Sequence, residues 1–298
     1  MSSFLQLTFS GLALGAVYAL VALGFVVIYR ASEVFNFAQG EFLTFGAFAM
    51  VTLTGAGLPW PVALLGAMVL SGMLGALVER VFLRPLIGRP VFVTIILTIF
   101  VGFILRTAMV VGFGTEPVGM PTPWETTADL RIGGASILYN SLGAILAGGL
   151  SLAGFYGLMK YTKLGVAMRA TASDQEVALS LGIPVGRIFG TAWFVAGALA
   201  ALGGIFLGMY PRSVDTNLGF IALRAFPAVI VGGLDSALGA VVAGLGLGVL
   251  EVLTQGYVNE HLGTFGENFH SVLPYLVMIV FLVVKPYGLF GSEEVERV

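Results

Sequence analysis

The sequence predicts an all-α, polytopic membrane protein with eight or nine transmembrane segments, its N-terminus outside and its C-terminus in the cytoplasm. Three observations carry that class. Hydrophobic residues make up 58% of the 298-residue chain, and its 14 basic and 16 acidic residues only 10%. Soluble domains carry about 25% charged residues, so this chain lacks the polar groups to cover a water-facing surface. That excludes a soluble enzyme and a disordered chain. Glycine occurs 42 times, about twice the usual share of roughly 7%. Small residues let helices approach closely where lipid supplies no hydrophobic drive between them. A net charge of −2 leaves no nucleic-acid footprint, and the absence of cysteine excludes disulfides, thiolate metal sites and thiol catalysis.

A membrane helix needs about 20 mostly apolar residues. The first such run is Leu7–Tyr29. It follows Met-Ser-Ser-Phe, which has no basic stretch or cleavage site, so it reads as a first span and not as a removable signal. The second run is Phe35–Thr54, and Gly55–Pro61 is the turn that separates it from the third, Trp60–Val81. Val91–Phe113, Ile137–Met159 and Ile188–Tyr210 follow. Phe220–Gly233 is apolar but short; as a helix it is about 21 Å long, less than the roughly 30 Å of a bilayer core. It reads as a re-entrant piece buried in protein or as a half-helix continued by Leu218–Arg224. Ala237–Val258 and Phe269–Val284 complete nine segments. Arg80, Arg84 and Arg89, and then Lys160, Lys163, Arg169 and Arg187, place two loops in the cytoplasm, whereas Gly114–Ser136 has one Arg and three acids and fits the outer side. Lys285 and Arg297 favour a cytoplasmic C-terminus.

Nucleotide chemistry is missing from the chain. It contains no Gly-Lys pair and hence no phosphate-binding loop of that type. His261 and His270 are nine residues apart, which is not a helical ligand pair, so no metal site is predicted. The informative stretch is the loop 160–187. Ser173-Asp-Gln-Glu176 reads as a capping box, with the Ser173 hydroxyl accepting from the Glu176 amide. Val177, Ala178 and Leu181 form an apolar stripe, Gly182 sits where a left-handed C-cap belongs, and Pro184 follows. The spacing predicts one amphipathic helix of about eight residues whose stripe needs a partner.

Polar groups at membrane depth are costly and point to function. Asn36, Gln39 and Glu41 open the second run, and Arg106 lies in the fourth, about 6 Å beyond its middle. Glu251 and Gln255 share a stripe with Asn259 on the eighth, while Arg224 and Asp235 flank the short segment near its two ends. Asn36, Gln39, Glu41, Arg106, Glu251 and Gln255 are the candidate pathway residues. Ser236 or Asp235 reads as the cap of the helix that follows the short segment.

The loop resembles the coupling loop of the branched-chain amino acid permease family of ABC importers, G-x-x-x-R-A-x-x-x-D-x-E-x-A-x-x-x-G-I. Gly165, Arg169, Ala170, Asp174, Glu176, Ala178, Gly182 and Ile183 fill it here. The opening GLALGAVYALVALGFVVIY, the motif NFAQGE at Asn36–Glu41, the Gly-rich Ala225–Glu251 and the tail KPYGLFG at Lys285–Gly291 resemble further family landmarks, in order along the chain, and the match is closest to the H-type subunit. Gln39 stands where the family motif has His.

The resemblance implies one permease domain over residues 1–298, in the bacterial inner membrane. It implies a homologous second permease subunit, two cytoplasmic ATPase subunits that hold ATP–Mg, and a periplasmic binding protein. This chain would then need no cofactor and would not itself be an enzyme. Gly165, Arg169, Ala170, Asp174, Glu176, Val177, Ala178, Leu181 and Gly182 would couple it to an ATPase, and a charge at Ala178 should uncouple transport from hydrolysis. The solute would be a branched-chain amino acid or a related small polar molecule. The alternative is a self-contained secondary transporter or channel, which would need a coupling-ion site built from Glu41, Arg106 and Glu251 and would have no use for the capped cytoplasmic helix.

Overall fold

The computed structural model describes residues 2–86, 89–132, 134–209, 211–259, 261, 266 and 268–291, apart from the side chains of Ser2, Ile132 and Glu176. Tyr210 and Arg297, on which the sequence reading leaned, lie outside them. Helix α1 (Ser2–Ser32) is the central post, and α11 (Ala237–Tyr257), α8 (Val185–Leu207) and α5 (Tyr139–Tyr161) pack around it. Gly11 and Gly15, one turn apart on α1, meet Gly244 and Gly248 on α11. A methyl group on Gly15 would lie 2.7 Å from the Leu245 Cα, and one on Gly248 only 2.3 Å from the Gly15 Cα. The two backbones touch, as small-residue spacing predicts.

Helix α8 does the same against α2 (Gln39–Gly55) and α3 (Trp60–Val78): a methyl on Gly204 would sit 2.2 Å from the Leu43 carbonyl oxygen, and one on Gly75 2.4 Å from that of Trp193. α3 continues through a π turn, Glu79–Leu83, and a 3-10 turn, Arg84–Leu86. The outer layer is α4 (Val91–Phe113), α5 and α12 (Phe269–Val284), with large apolar side chains such as Phe103, Leu150 and Val283 exposed. Among the described residues six helices are long and apolar enough to cross a membrane: Ser3–Ser32, Trp60–Leu86, Val91–Phe113, Tyr139–Tyr161, Val185–Leu207 and Ala237–Tyr257. The predicted runs at Val91–Phe113 and Phe269–Val284 coincide with α4 and α12.

Four elements differ from the sequence reading. The second run is not a helix from Phe35. Asn36 closes an Asx turn, its Oδ1 accepting from the Ala38 amide at 3.0 Å, and α2 starts only at Gln39. A short polar side chain competes with the helix for its own backbone. The loop between α4 and α5 contains a hairpin, β1 (Asp129–Ile132) paired antiparallel with β2 (Ala135–Leu138), so α5 starts at Tyr139 and not at Ile137. The Ser136 hydroxyl, bonded to Asp129, holds that carboxyl below the usual carboxylate range. The loop 160–187 holds two helices, α6 (Lys163–Ser173) and α7 (Gln175–Ser180). The short apolar segment is one helical run, α9 (Leu218–Ala222), a 3-10 turn and α10 (Phe226–Gly232), so Arg224 lies in its middle and not at an end.

The C-terminal tail has a structural task. Amides of Leu289 and Phe290 bond to the carbonyls of Val231 and Gly232 at 2.8 and 3.1 Å and satisfy the last turn of α10. Gly233, at φ +109°, turns the chain against Gly291, and Ser236 caps α11 by accepting from the Gly239 amide at 3.1 Å. The α1–α11 contact gives a test with its own control. Gly248→Val should lower the melting temperature of the detergent-solubilised protein by about 5 °C or more, since overpacking costs about 1–3 kcal/mol. Gly246→Val, on the same helix with open space around it, should leave the melting temperature unchanged in the same scan.

Candidate solute pathway and coupling surface

The break before α2 builds the site. Glu33 caps α1 in the left-handed region at φ +55°, a strained position for a residue with a side chain. The chain then runs unwound alongside α4. The Thr98 hydroxyl accepts from the Phe37 amide at 3.3 Å, Gly102 faces Ala38, and Arg106 reaches Glu41. Thr94, Thr98, Gly102 and Arg106 are one turn apart, a seam of small and polar side chains about 18 Å long. Its lower end opens into a cavity of about 240 Å³ lined by Glu33, Val34, Arg84, Arg89, Thr94 and Gln175.

At its upper end Arg106 is held from three sides. Nη2 donates to Asn217 Oδ1 at 2.6 Å, the guanidinium lies 4.0 Å over the Phe220 ring, and Nη1 stands 3.9 Å from Glu41 Oε1. A charge pair at about 4 Å attracts by about 4 kcal/mol at an effective dielectric of 20, against about 1 kcal/mol in water. The Glu41 residue is 9% exposed. Glu41 Oε2 and Arg106 Nη1 have no hydrogen-bond partner among the described residues.

Gln39 and Glu41 diverge, as their spacing on a helix requires. Gln39 points inward and uses both ends of its amide: Oε1 accepts from Asn36 at 3.1 Å, and Nε2 donates to the Ala196 carbonyl of α8 at 3.1 Å. Gly24 leaves the room, since a methyl there would sit 2.3 Å from Nε2. Asn36 and Gln39 are fully buried and pin the start of α2. The amide holds donor and acceptor together at every pH, which an imidazole cannot do.

Glu251 belongs to a second cluster. Tyr18 donates to its Oε2 at 2.7 Å, and Arg224 pairs with its Oε1 at 3.2 Å, which ties α1, α11 and the half-helix together inside the protein. Gln255 does not join it: it is exposed, and Gly256 rather than Gln255 meets α1, at Leu7. The predicted stripe breaks there because four residues rotate a helix by a further 40° or so, past the edge that α1 covers. Asn259 instead meets His270, at 2.8 Å. A third pair, Arg84 with Glu79 at 2.8 Å, donates onward to the Gly186 carbonyl and ties α3 to α8 beside the cavity.

The loop 160–187 is built on caps. Thr162 accepts from the Gly165 amide and starts α6. Gly165 must lack a side chain, because a methyl would lie 2.3 Å from the Met159 carbonyl oxygen. Arg169 bonds that same Met159 carbonyl, and Ala170 is half-buried beside it. The cap of α7 is Asp174 and not Ser173, its Oδ1 accepting from the Val177 amide at 2.9 Å. Ser173 is already the last residue of α6, so the box shifts by one. The side chain of Glu176 lies outside the described residues. Gly182 takes the predicted left-handed cap at φ +80°, with the Ile183 amide reaching the Ala178 carbonyl. Ala178 is 1% exposed and packs inward, so it holds α7 to the chain and presents no docking surface. The outward apolar residues are Val177, Leu179 and Leu181, the last 73% exposed.

Residues 7–282 match the family described as branched-chain amino acid transport system / permease component. The chain belongs to this permease family. It is 29% identical to the high-affinity branched-chain amino acid transport system permease protein LivH of Salmonella typhimurium, over 99% of this chain and 98% of the relative. Identity is also 29%, with the same coverage, to the corresponding protein BraD of Pseudomonas aeruginosa. It is 30% identical to a probable branched-chain amino acid transport permease protein LivH of Methanocaldococcus jannaschii, over 92% of this chain and 88% of the relative. The resemblance read from the motifs is thereby borne out, and a permease, not an enzyme, is the result.

Sequence reasoning missed Asn217, Phe220 and Tyr18 in this permease. Nothing local marks Tyr18 or Phe220 as special in an apolar run; only the fold brings them to a charge. Removing one partner of a buried charge pair costs about 3–5 kcal/mol. Glu251→Ala should therefore lower the melting temperature of the solubilised permease by roughly 10 °C, and Tyr18→Phe by a smaller step. Combining the two should cost less than the sum of the single changes, as measured by thermal unfolding.

Proposed function

We propose that this permease is the membrane subunit of an ATP-driven importer for branched-chain amino acids or related small polar solutes in the bacterial inner membrane. The single observation that carries the reading is α7. It is capped at both ends, anchored by Ala178, and turns Val177 and Leu179 outward, with Leu181 just beyond its last residue. A six-residue helix of this kind is marginal alone in water and gains by seating its exposed apolar side chains in a partner.

The partner is one of two cytoplasmic ATPase subunits, which hold ATP–Mg; a homologous second permease subunit and a periplasmic binding protein complete the importer. The whole chain serves as one permease domain, with residues 160–187 as the coupling loop. Nine segments cross or enter the bilayer, from an outer N-terminus to a cytoplasmic C-terminus: the six long helices, α2, the run Leu218–Gly232, and α12. α2, Leu218–Gly232 and α12 are about 22–25 Å long, shorter than the bilayer core; most of α2 and of Leu218–Gly232 is packed against protein, which tolerates such pieces.

Motion passes from α7 to the solute through contacts already present. Gln175 of α7 lines the cavity at the foot of the α4 seam, and Arg84, on the same cavity, bonds the start of α8. A rigid shift of α7 against α8 therefore alters the mouth of the seam that ends at Glu41 and Arg106.

Leu181→Glu tests the reading in proteoliposomes that carry the complete importer with its binding protein. Uptake should fall at least tenfold, with assembly intact, and Leu181→Met should retain it. Wild-type uptake by the Leu181→Glu importer would overturn the docking role of α7. Uphill transport by the purified chain alone on an ion gradient would overturn the importer reading.

A further inference from the structure

We propose that the Glu41–Arg106 pair is a zwitterion site, and that the permease itself separates α-amino acids from uncharged solutes such as amides. The proposal rests on the permease reading above and assigns the chemical class of solute that passes through it.

Two other ion pairs in the chain show what a closed one looks like. Arg84 meets Glu79 at 2.8 Å, and Arg224 meets Glu251 at 3.2 Å. Arg106 and Glu41 stop at 3.9 Å, beyond hydrogen-bond range. The guanidinium does not swing across the gap, because Asn217 holds Nη2 at 2.6 Å and Phe220 holds its face at 4.0 Å. Glu41 is tethered to the first turn of α2, whose start is pinned by Asn36 and Gln39. The result is one donor, Arg106 Nη1, and one acceptor, Glu41 Oε2, each buried and each without a hydrogen-bond partner among the described residues.

Buried groups of this kind select for a ligand that satisfies both. An α-amino acid carries an ammonium and a carboxylate on one carbon. Its ammonium suits Glu41 and its carboxylate suits the guanidinium, both as charge-assisted bonds. A monoanion satisfies Arg106 and repels Glu41; a neutral amide offers no charge to either. Rejection by unpaired buried polar groups is a strong form of discrimination. After the solute leaves, the two side chains still attract one another across the gap, which offsets part of the cost of the empty site.

The natural chain has no cysteine, so a single Leu105→Cys beside Arg106 on α4 reports the site in the assembled importer through its rate of labelling by a methanethiosulfonate reagent. The probes are L-leucine and 4-methylpentanamide, which has the same side chain without the two charges. L-Leucine should slow labelling, and the amide should need at least a tenfold higher concentration for the same protection. Glu41→Gln and Arg106→Gln should each raise the leucine concentration needed at least tenfold, and Arg106→Lys should recover part of the loss. The double variant Glu41→Gln/Arg106→Gln removes both charges together and leaves no single buried charge unpaired, with assembly checked by the binding-protein-stimulated ATP hydrolysis of the complex.

Equal protection by the amide and leucine overturns the inference. So does undiminished protection by leucine in the double variant. An assembled wild-type complex whose ATP hydrolysis does not respond to the binding protein would count against the importer reading instead.

Discussion

Backbone contact between helices is the constraint on which the rest of this permease depends. Between apolar helices in lipid there is no hydrophobic drive, so association rests on close packing. α1 meets α11 at Gly11, Gly15, Gly244 and Gly248, and α8 meets α2 and α3 at Gly204 and Gly75. That inner group of helices leaves a protein-lined interior. Within it α2 and the run Leu218–Gly232 start and stop without exposing free backbone to lipid. Gly40 and Gly219 bring their first turns into contact, a methyl on Gly40 falling 2.5 Å from the Gly219 carbonyl oxygen. The neighbouring residues, Glu41, Asn217 and Phe220, therefore converge on Arg106.

Charges inside this interior divide by geometry into two kinds. Glu251 is satisfied on both oxygens by Tyr18 and Arg224, and Glu79 by Arg84. These clusters tie helices together. Glu41 and Arg106 keep an open acceptor and an open donor. A buried pair left open lowers stability, and such a cost is retained where a solute uses it. The loop 160–187 follows the same division: Ala178, Gly165 and Gly182 shape and anchor it, while Val177, Leu179 and Leu181 face outward.

Much of this was legible in the residues. Apolar runs located α4 and α12 to the residue, because a long apolar stretch bounded by Pro90 and Gly114, or by Lys285, leaves the helix little choice of ends. The Gly182 cap was legible because a left-handed stop needs glycine. The loop before α2 was misread because Asn36 competes for the backbone by a side-chain bond that no hydropathy pattern carries. α6 was missed because its start depends on Thr162 and on the tight approach of Gly165 to Met159, a contact made only after the chain has turned back on α5. Gln255 was assigned to the interior on helical spacing alone, although α1 ends its cover one residue further round.

The sequence by itself determined the solvent this chain lives in, the long helices, the capped helix that ends at Gly182 and the family, since each is written in local composition or spacing. Only the tertiary structure decided which polar side chains meet. Glu41 and Arg106, or Tyr18 and Glu251, are 65 and 233 positions apart in the chain, and their distances follow from how closely glycine-faced helices pack, a property that no window of sequence contains.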